Sequence, residues 1–201
     1  MNIIDRLRLQ TFQKELLSQH KIGSPESLGW ASSESQIIRF QILSQIDHLS
    51  NTSILDLGCG YGDFKLYLDQ FFQNIQYTGI DMMPDFLEKA FENIGNLPNV
   101  KLFHANFSEI ELPKTDYVMA SGIFCYKSQI PDDHQNMIKK MFESAQKGIA
   151  FNMLDSKMNF SEHFIIGHDI DEIMDFCKTL SPKLTLKTAY LTDDFTIFLK
   201  K

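Results

Sequence analysis

The stretch SILDLGCGYGDF, Ser53 to Phe64, runs from apolar residues straight into three glycines at alternate positions, with Asp56 and Asp63 on either side. Glycine tolerates positive φ and lets a ligand lie against bare backbone, and Gly58, Gly60 and Gly62 stand where both are useful. A strand-to-helix turn that binds nothing rarely needs three alternate glycines. In open α/β sheets ligands bind beyond the carboxyl ends of the strands, where the strand order reverses. The stretch therefore predicts a first parallel strand that ends at a ligand site.

Outward from it, short β-rich runs alternate with helical ones. IQYTGID (75–81) precedes a helix over 84–93, and VKLFHA (100–105) precedes a loop. TDYVMASG (115–122) precedes a helix over 133–146, and KGIAFNML (147–154) precedes one over 169–180. Such alternation predicts parallel strands joined by crossover helices, an α/β fold with helices on both faces of an open sheet. The end differs: Leu184, Leu186, Thr188 and Tyr190 alternate, a turn follows at 192–194, and Phe195, Ile197 and Leu199 alternate again. That is a hairpin.

Before the glycine turn, Ile3, Ile4, Leu7, Phe12 and Leu16 recur at roughly helical spacing, which predicts an amphipathic helix covering part of the main core. KIGSPESLGWASSES (21–35) breaks it. A second helix is expected from about Glu34 to His48, capped through Ser33 and Gln36, with Ile38, Ile42, Ile46 and Leu49 on one face. Residues 1–33 thus read as an N-terminal helix and cap segment, and 34–201 as the main domain.

The 201 residues carry 19 Lys and Arg against 26 Asp and Glu, a net charge of -7, with no basic block. Nucleic acid is not the expected main partner. Three scattered cysteines without a C-x-x-C pair encode neither a disulfide framework nor a zinc site, and a reducing cytoplasm suits them. No H-x-H or H-E-x-x-H pattern occurs, so no metal is expected. Charged residues interrupt the first twenty positions and no apolar run reaches about 18 residues, so neither a signal peptide nor a membrane span is expected. Nothing in the composition bears on oligomeric state.

A dinucleotide is the obvious candidate ligand, but its fingerprint needs a third glycine where this chain has Asp63. A pyrophosphate there would meet two acids, which offsets the attraction of the helix N-terminus. A cationic nucleoside without phosphates would not.

The pattern Asp56-Leu57-Gly58-Cys59-Gly60-Tyr61-Gly62 resembles the first motif of the class I, Rossmann-like methyltransferases, which use S-adenosylmethionine and release S-adenosylhomocysteine. Asp81, at the end of the second strand and before Pro84, is similar to the family's ribose-binding acid, although a helix cap is the alternative. Asn106 and Phe107, after the third strand, match positions that contact adenine; a turn residue is the alternative for Asn106. The terminal hairpin also fits, and the resemblance implies a seven-stranded, mostly parallel sheet of order 3-2-1-4-5-7-6. WASSESQIIRFQIL, ASGIF and FNML look like segments of small bacterial members of the group.

The implied cofactor contacts are Trp30, Arg39, Asp56, Gly58, Cys59, Gly60, Asp81, Met82, Asn106, Phe107 and Ser121. Trp30 is expected to roof cofactor or acceptor, or to pack the N-terminal helix. Arg39 is expected to meet the methionyl carboxylate as a bidentate partner, or to solvate the surface. Methyl transfer is an in-line displacement in which alignment and desolvation can suffice, so a catalytic base is not required. The acceptor is expected to be a small molecule that presents oxygen or nitrogen over the ends of the fourth and fifth strands, with Tyr126, Asn152, His163 and His168 as candidates to orient it or take its proton. Cys125 lacks the preceding proline of the cytosine-carbon enzymes and reads as a small buried hydrophobe. Two other functions share this pattern: a nicotinamide-dinucleotide oxidoreductase and a non-catalytic cofactor-binding module.

Overall fold

The computed structural model describes residues 2–158 and 164–201. Its seven strands are β1 (Ser53–Leu57), β2 (Gln76–Asp81), β3 (Val100–His104), β4 (Thr115–Ala120), β5 (Ala145–Leu154), β6 (Leu184–Lys187) and β7 (Asp194–Lys200), in the order β3-β2-β1-β4-β5-β7-β6. Five are parallel, and β7 runs antiparallel to both β5 and β6. The expected architecture and strand order are both present. The order reverses between β1 and β4, so a crevice opens at their carboxyl ends.

Alternation along the strands feeds two cores. Leu55, Leu57, Val118, Ile149 and Phe151 face α5 (Asp133–Ser144) and α6 (Ile170–Leu180), whose Ile138, Met141, Ile173 and Cys177 complete that cluster. Ile54, Tyr77, Tyr117, Met119 and Ala150 face the other way. There they meet α2 (Ser33–Leu43), α3 (Asp63–Leu68) and α4 (Pro84–Ile94) through Phe40, Leu43, Phe64, Leu68 and Leu87. Both faces are covered, as a parallel sheet requires.

The second helix ends at Leu43 rather than near His48, and a 3-10 turn over Ser44–Ile46 carries the chain on. Its cap is Ser32 with Ser35, one residue before the expected Ser33. Ser35 takes the place of a longer capping partner because its hydroxyl reaches back to the Ser32 amide.

The first helix, α1 (Ile3–Gln19), departs further from expectation. Ile3, Ile4 and Leu7 are 62%, 49% and 56% exposed, whereas Asp5, Leu9 and Gln13 are buried. Spacing of four residues puts Asp5, Leu9 and Gln13 on one face. That face is turned inward because Asp5 accepts from Ser128 Oγ and the Gln129 amide, and Gln13 donates to Tyr126 Oη. Leu9 packs in a third cluster with Tyr61, Met82, Met83 and Phe86. Thus α1 does not cover the sheet core. It roofs the crevice.

Candidate functional site

The crevice is a cavity of about 620 Å³ bounded by α1, the glycine turn, and the segments after β2, β4 and β5. Its volume lies in the range of small-molecule and cofactor sites. Among the residues that line it are Trp30, Asp56, Gly58, Cys59, Gly60, Asp81, Met82, Phe107, Ser121, Tyr126 and His168.

The floor is built by the glycine turn. Gly58 has φ 73° and Gly60 φ 53°, so both need the left-handed region. A Cβ on Gly58 would come within 2.5 Å of Ile123 Cγ2, which belongs to the segment after β4. The Gly58 and Cys59 amides both donate to the Ile80 carbonyl, at 2.8 and 3.2 Å, and so hold the turn against the end of β2. Asp81 then accepts the Gly60 amide at 3.0 Å and the Met83 amide at 2.9 Å. One carboxylate therefore ties together the two strand ends while bordering the cavity. Asp81 is not the cap of α4, whose N-cap is Met83 and has no side-chain cap hydrogen bond.

Three acids gather at this floor. Asp56 accepts from Tyr77 Oη at 2.5 Å, and Asp63 accepts from Gln36 Nε2 at 3.2 Å. Burial pushes Asp56 up to about 7, with the charges of Asp81 and Asp63 adding to the effect against the Tyr77 hydrogen bond. Burial also raises Asp63 and Asp81. A carboxylate trio raised by desolvation, with repulsion from its neighbours added at Asp56, is suited to a cation.

The wall beyond β4 is positioned by Asn152. Ala120 lies opposite Phe151 in the sheet, so residues 121 and 122 run beside Asn152. Asn152 Oδ1 accepts the Gly122 amide at 2.8 Å and its Nδ2 donates to Ser121 Oγ at 3.2 Å. Asn152 does not line the cavity, but it sets the two residues that do. Gly122, at φ 77°, leaves room for the indole of Trp30, whose Cη2 would lie 2.7 Å from any added Cβ. Trp30 lines the cavity from the segment between α1 and α2.

Two expected contacts lie elsewhere. Arg39 does not line the cavity and is not on the surface, being 7% exposed. Its Nε pairs with Asp194, its Nη1 donates to the Ser35 carbonyl at 3.1 Å, and its guanidinium stacks 4.8 Å from the Trp30 ring. A buried carboxylate on β7 has claimed the cation, and Arg39 props Trp30 from behind instead of meeting a ligand. Asn106 also lies outside the lining. Its Oδ1 accepts from the Ser108 amide and hydroxyl, and its Nδ2 donates to Glu109, so the turn consumes its hydrogen-bonding capacity. Phe107 lines the cavity.

On the far wall, His168 is 9% exposed and its Nε2 donates to the Phe124 carbonyl at 2.8 Å. A carbonyl can only accept, so Nδ1 is the open acceptor of the neutral ring. The His134 ring sits 4.7 Å away, and burial lowers both histidines. Tyr126 is raised well above the usual tyrosine range by burial. Cys125 is pushed up to about 12 by burial, which makes it a poor nucleophile. His163 lies outside the described residues. Sequence reasoning missed Asp5, Gln13 and His134. The first two left no signal, since they stand eight positions apart in α1 with the apolar Leu9 midway between them. Among the described residues no cluster suited to a metal ion occurs, and no helix is long and apolar enough to cross a membrane.

A parallel sheet whose strand order reverses over a glycine turn, with an acid at the end of the neighbouring strand, defines the Rossmann-like nucleoside-binding class. Comparison with known proteins narrows that class. Residues 54–148 match the family model described as "Methyltransferase domain". Rv1506c of Mycobacterium tuberculosis, which bears a provisional methyltransferase name, is 32% identical over 157 residues, covering 74% of this chain and 93% of that protein. The chain belongs to the methyltransferase family. Trans-aconitate 2-methyltransferase of Afipia carboxidovorans is 31% identical over 118 residues, 57% of this chain, which spans 43% of that longer protein. Among solved structures, magnesium protoporphyrin IX methyltransferase from Synechocystis PCC 6803 with bound SAM superposes with a TM-score of 0.65 at 13% identity, covering 98% of this chain and 97% of that one. That likeness is one of fold.

Proposed function

We propose that the chain is an S-adenosylmethionine-dependent enzyme that transfers a methyl group to an oxygen or nitrogen of a small molecule. The observation that carries this reading is the glycine turn at a floor where the buried Asp56 and Asp81 meet the half-buried Asp63, with no Lys or Arg among the described residues that line the floor. Bound there, S-adenosylmethionine supplies a methyl group on a cationic sulfonium. The chain's residues fit it: Gly58 and Gly60 present bare backbone, Asp81 keeps acceptor capacity for a ribose hydroxyl, Met82 and Phe107 offer apolar surface to a base, and Asp56 with Asp63 complements positive charge.

The protein's own part in transfer is alignment and exclusion of water. Asn152 holds the Ser121–Gly122 wall, Gly122 admits Trp30, and α1 closes the top. His168 Nδ1 is available to take a proton from the acceptor, and its lowered pKa keeps the ring neutral near pH 7. The lining also bears on the acceptor. Beyond the floor and the roof helix it carries Asp132, Asp133, Asp169 and Glu172, against Lys127. An acceptor without net negative charge suits such a wall, unlike the carboxylate in the name of the Afipia relative.

The test is calorimetric titration with S-adenosylmethionine, S-adenosylhomocysteine and a nicotinamide dinucleotide, followed by S-adenosylhomocysteine release with neutral, cationic and anionic acceptor panels. Micromolar binding of the first two ligands is expected, and turnover on neutral or cationic acceptors. Saturable binding of the dinucleotide alone would establish the oxidoreductase reading. Cofactor binding without turnover on any panel would favour the non-catalytic module.

A further inference from the structure

We infer that α1 reads the nucleoside: Asp5 Oδ1 accepts from the exocyclic amine of the adenine and Gln13 Oε1 from a ribose hydroxyl. This rests on the reading of the cavity as an S-adenosylmethionine site. Asp5 and Gln13 are 2% and 5% exposed, and both line the cavity. Each uses part of its side chain to fasten α1 to the segment after β4, Asp5 through Oδ2 and Gln13 through Nε2. The other oxygen of each is buried with no hydrogen-bond partner among the described residues. A buried acceptor without a donor is a costly arrangement that native structures rarely keep for nothing. Both orphans are acceptors, so the missing ligand must bring donors.

Their place in the fold selects which ligand group brings them. Leu9, midway between them on the same helix face, packs with Met82, Met83 and Phe86, which directly follow Asp81. The pair therefore straddles the nucleoside end of the cavity. Arg6, next to Asp5, pairs with Glu109 at 3.4 Å, and Glu109 holds Asn106 at 2.9 Å, so the first turn of α1, which carries Asp5, lies between the loop after β3 and the segment after β4. Gln13 stands toward Tyr126, which packs on the same cluster as Met82 and Met83. Asn106 cannot serve a base amine, since its own turn holds its carboxamide. Adenosine offers two kinds of donor, the amine of its base and the hydroxyls of its ribose, and the two orphan oxygens match them in number and kind.

The test compares S-adenosylhomocysteine with S-inosylhomocysteine, which replaces the amine by a carbonyl, on the full chain. Wild type should bind the adenosine ligand at least about thirtyfold tighter, because a carbonyl facing an orphan carboxylate oxygen leaves two acceptors opposed. In Asp5→Asn, whose amide can donate to that carbonyl, the preference should fall to about threefold or less. Gln13→Met should weaken both ligands together by about three- to tenfold, leaving their ratio intact. Equal binding of the two ligands by wild type would overturn the assignment without any variant. So would an Asp5→Asn protein that keeps the wild-type preference, or one whose affinities for both ligands are unchanged; the latter would turn the orphan oxygens toward the methyl acceptor. Failure of wild type to bind either ligand would instead overturn the cofactor reading itself.

Discussion

The floor and the roof of the cavity are built on opposite terms. On the floor, the glycine turn and Asp81 come from β1, β2 and the turns that end them, and the turn amides and the Asp81 oxygens are already engaged with one another. The roof is assembled from α1 and the segments after β4 and β5, and it keeps two buried oxygens without partners. A floor of this kind is preorganised before any ligand arrives. A roof of this kind is completed by what it covers, so the two should respond differently to mutation.

The largest effect is expected where the sheet supports the roof from outside the cavity. Arg39→Ala strands Asp194 as a buried carboxylate already pushed up to about 6, and should cost about 3–5 kcal/mol of stability, read in a denaturant melt. The double variant with Asp194→Ala should recover much of the loss. A single-variant cost below about 1 kcal/mol would show the pair to be solvated after all.

Next comes the floor itself. Asp81→Ala removes the acceptor for the Gly60 and Met83 amides along with the ribose contact, and should weaken S-adenosylhomocysteine by about ten- to a hundredfold in calorimetry. If the affinity held, the nucleoside would lie elsewhere.

Asp56 gives a pH signature of comparable or smaller size. Its folded pKa of about 7 stands above the ordinary 3.8, so the free protein holds an extra proton between those values and loses stability as pH rises through that window. A bound cation favours the ionised form, so affinity for S-adenosylmethionine should rise by up to about tenfold from pH 6 to 8. A flat profile, or one falling with pH, would remove Asp56 from the cation's surroundings.

Asn152→Ala unlinks β5 from the Ser121–Gly122 wall, and should lower turnover by about tenfold while cofactor affinity stays within about threefold, a split visible in kcat against cofactor Kd. Smallest of all, Cys125→Ala should leave turnover within about twofold, since its thiol is buried and pushed up to about 12. A large loss there would make Cys125 part of the chemistry.

The floor could be read directly because a contiguous run of residues makes it: alternate glycines, an acid before them and another acid closing the next strand. Backbone that needs φ above zero leaves a mark in the residue type itself. Alternation of elements gave a parallel α/β sheet closed by a hairpin, whereas the order of its strands came from the resemblance to the class I methyltransferases. Misreadings fell where a side chain had a choice of partner. Arg39 had the length to reach the cavity, but Asp194 on β7, distant in sequence, took its charge. Asn106 stood at the expected place and was consumed by Ser108 and Glu109 of its own loop. The face of α1 was misjudged because hydrophobic periodicity assumes that polar residues go to water, and Asp5 and Gln13 turn instead to the cavity and to the segment after β4.

Sequence by itself thus determined the parallel sheet, its closing hairpin and the glycine floor, since these depend on local backbone freedom and on alternation along each strand; the reversal point came with the resemblance to the methyltransferases. Only the tertiary structure decided which side chains meet over that floor. Such partnerships form between residues more than a hundred positions apart, as Gln13 and Tyr126 do, and a pattern read along the chain carries no distance across it.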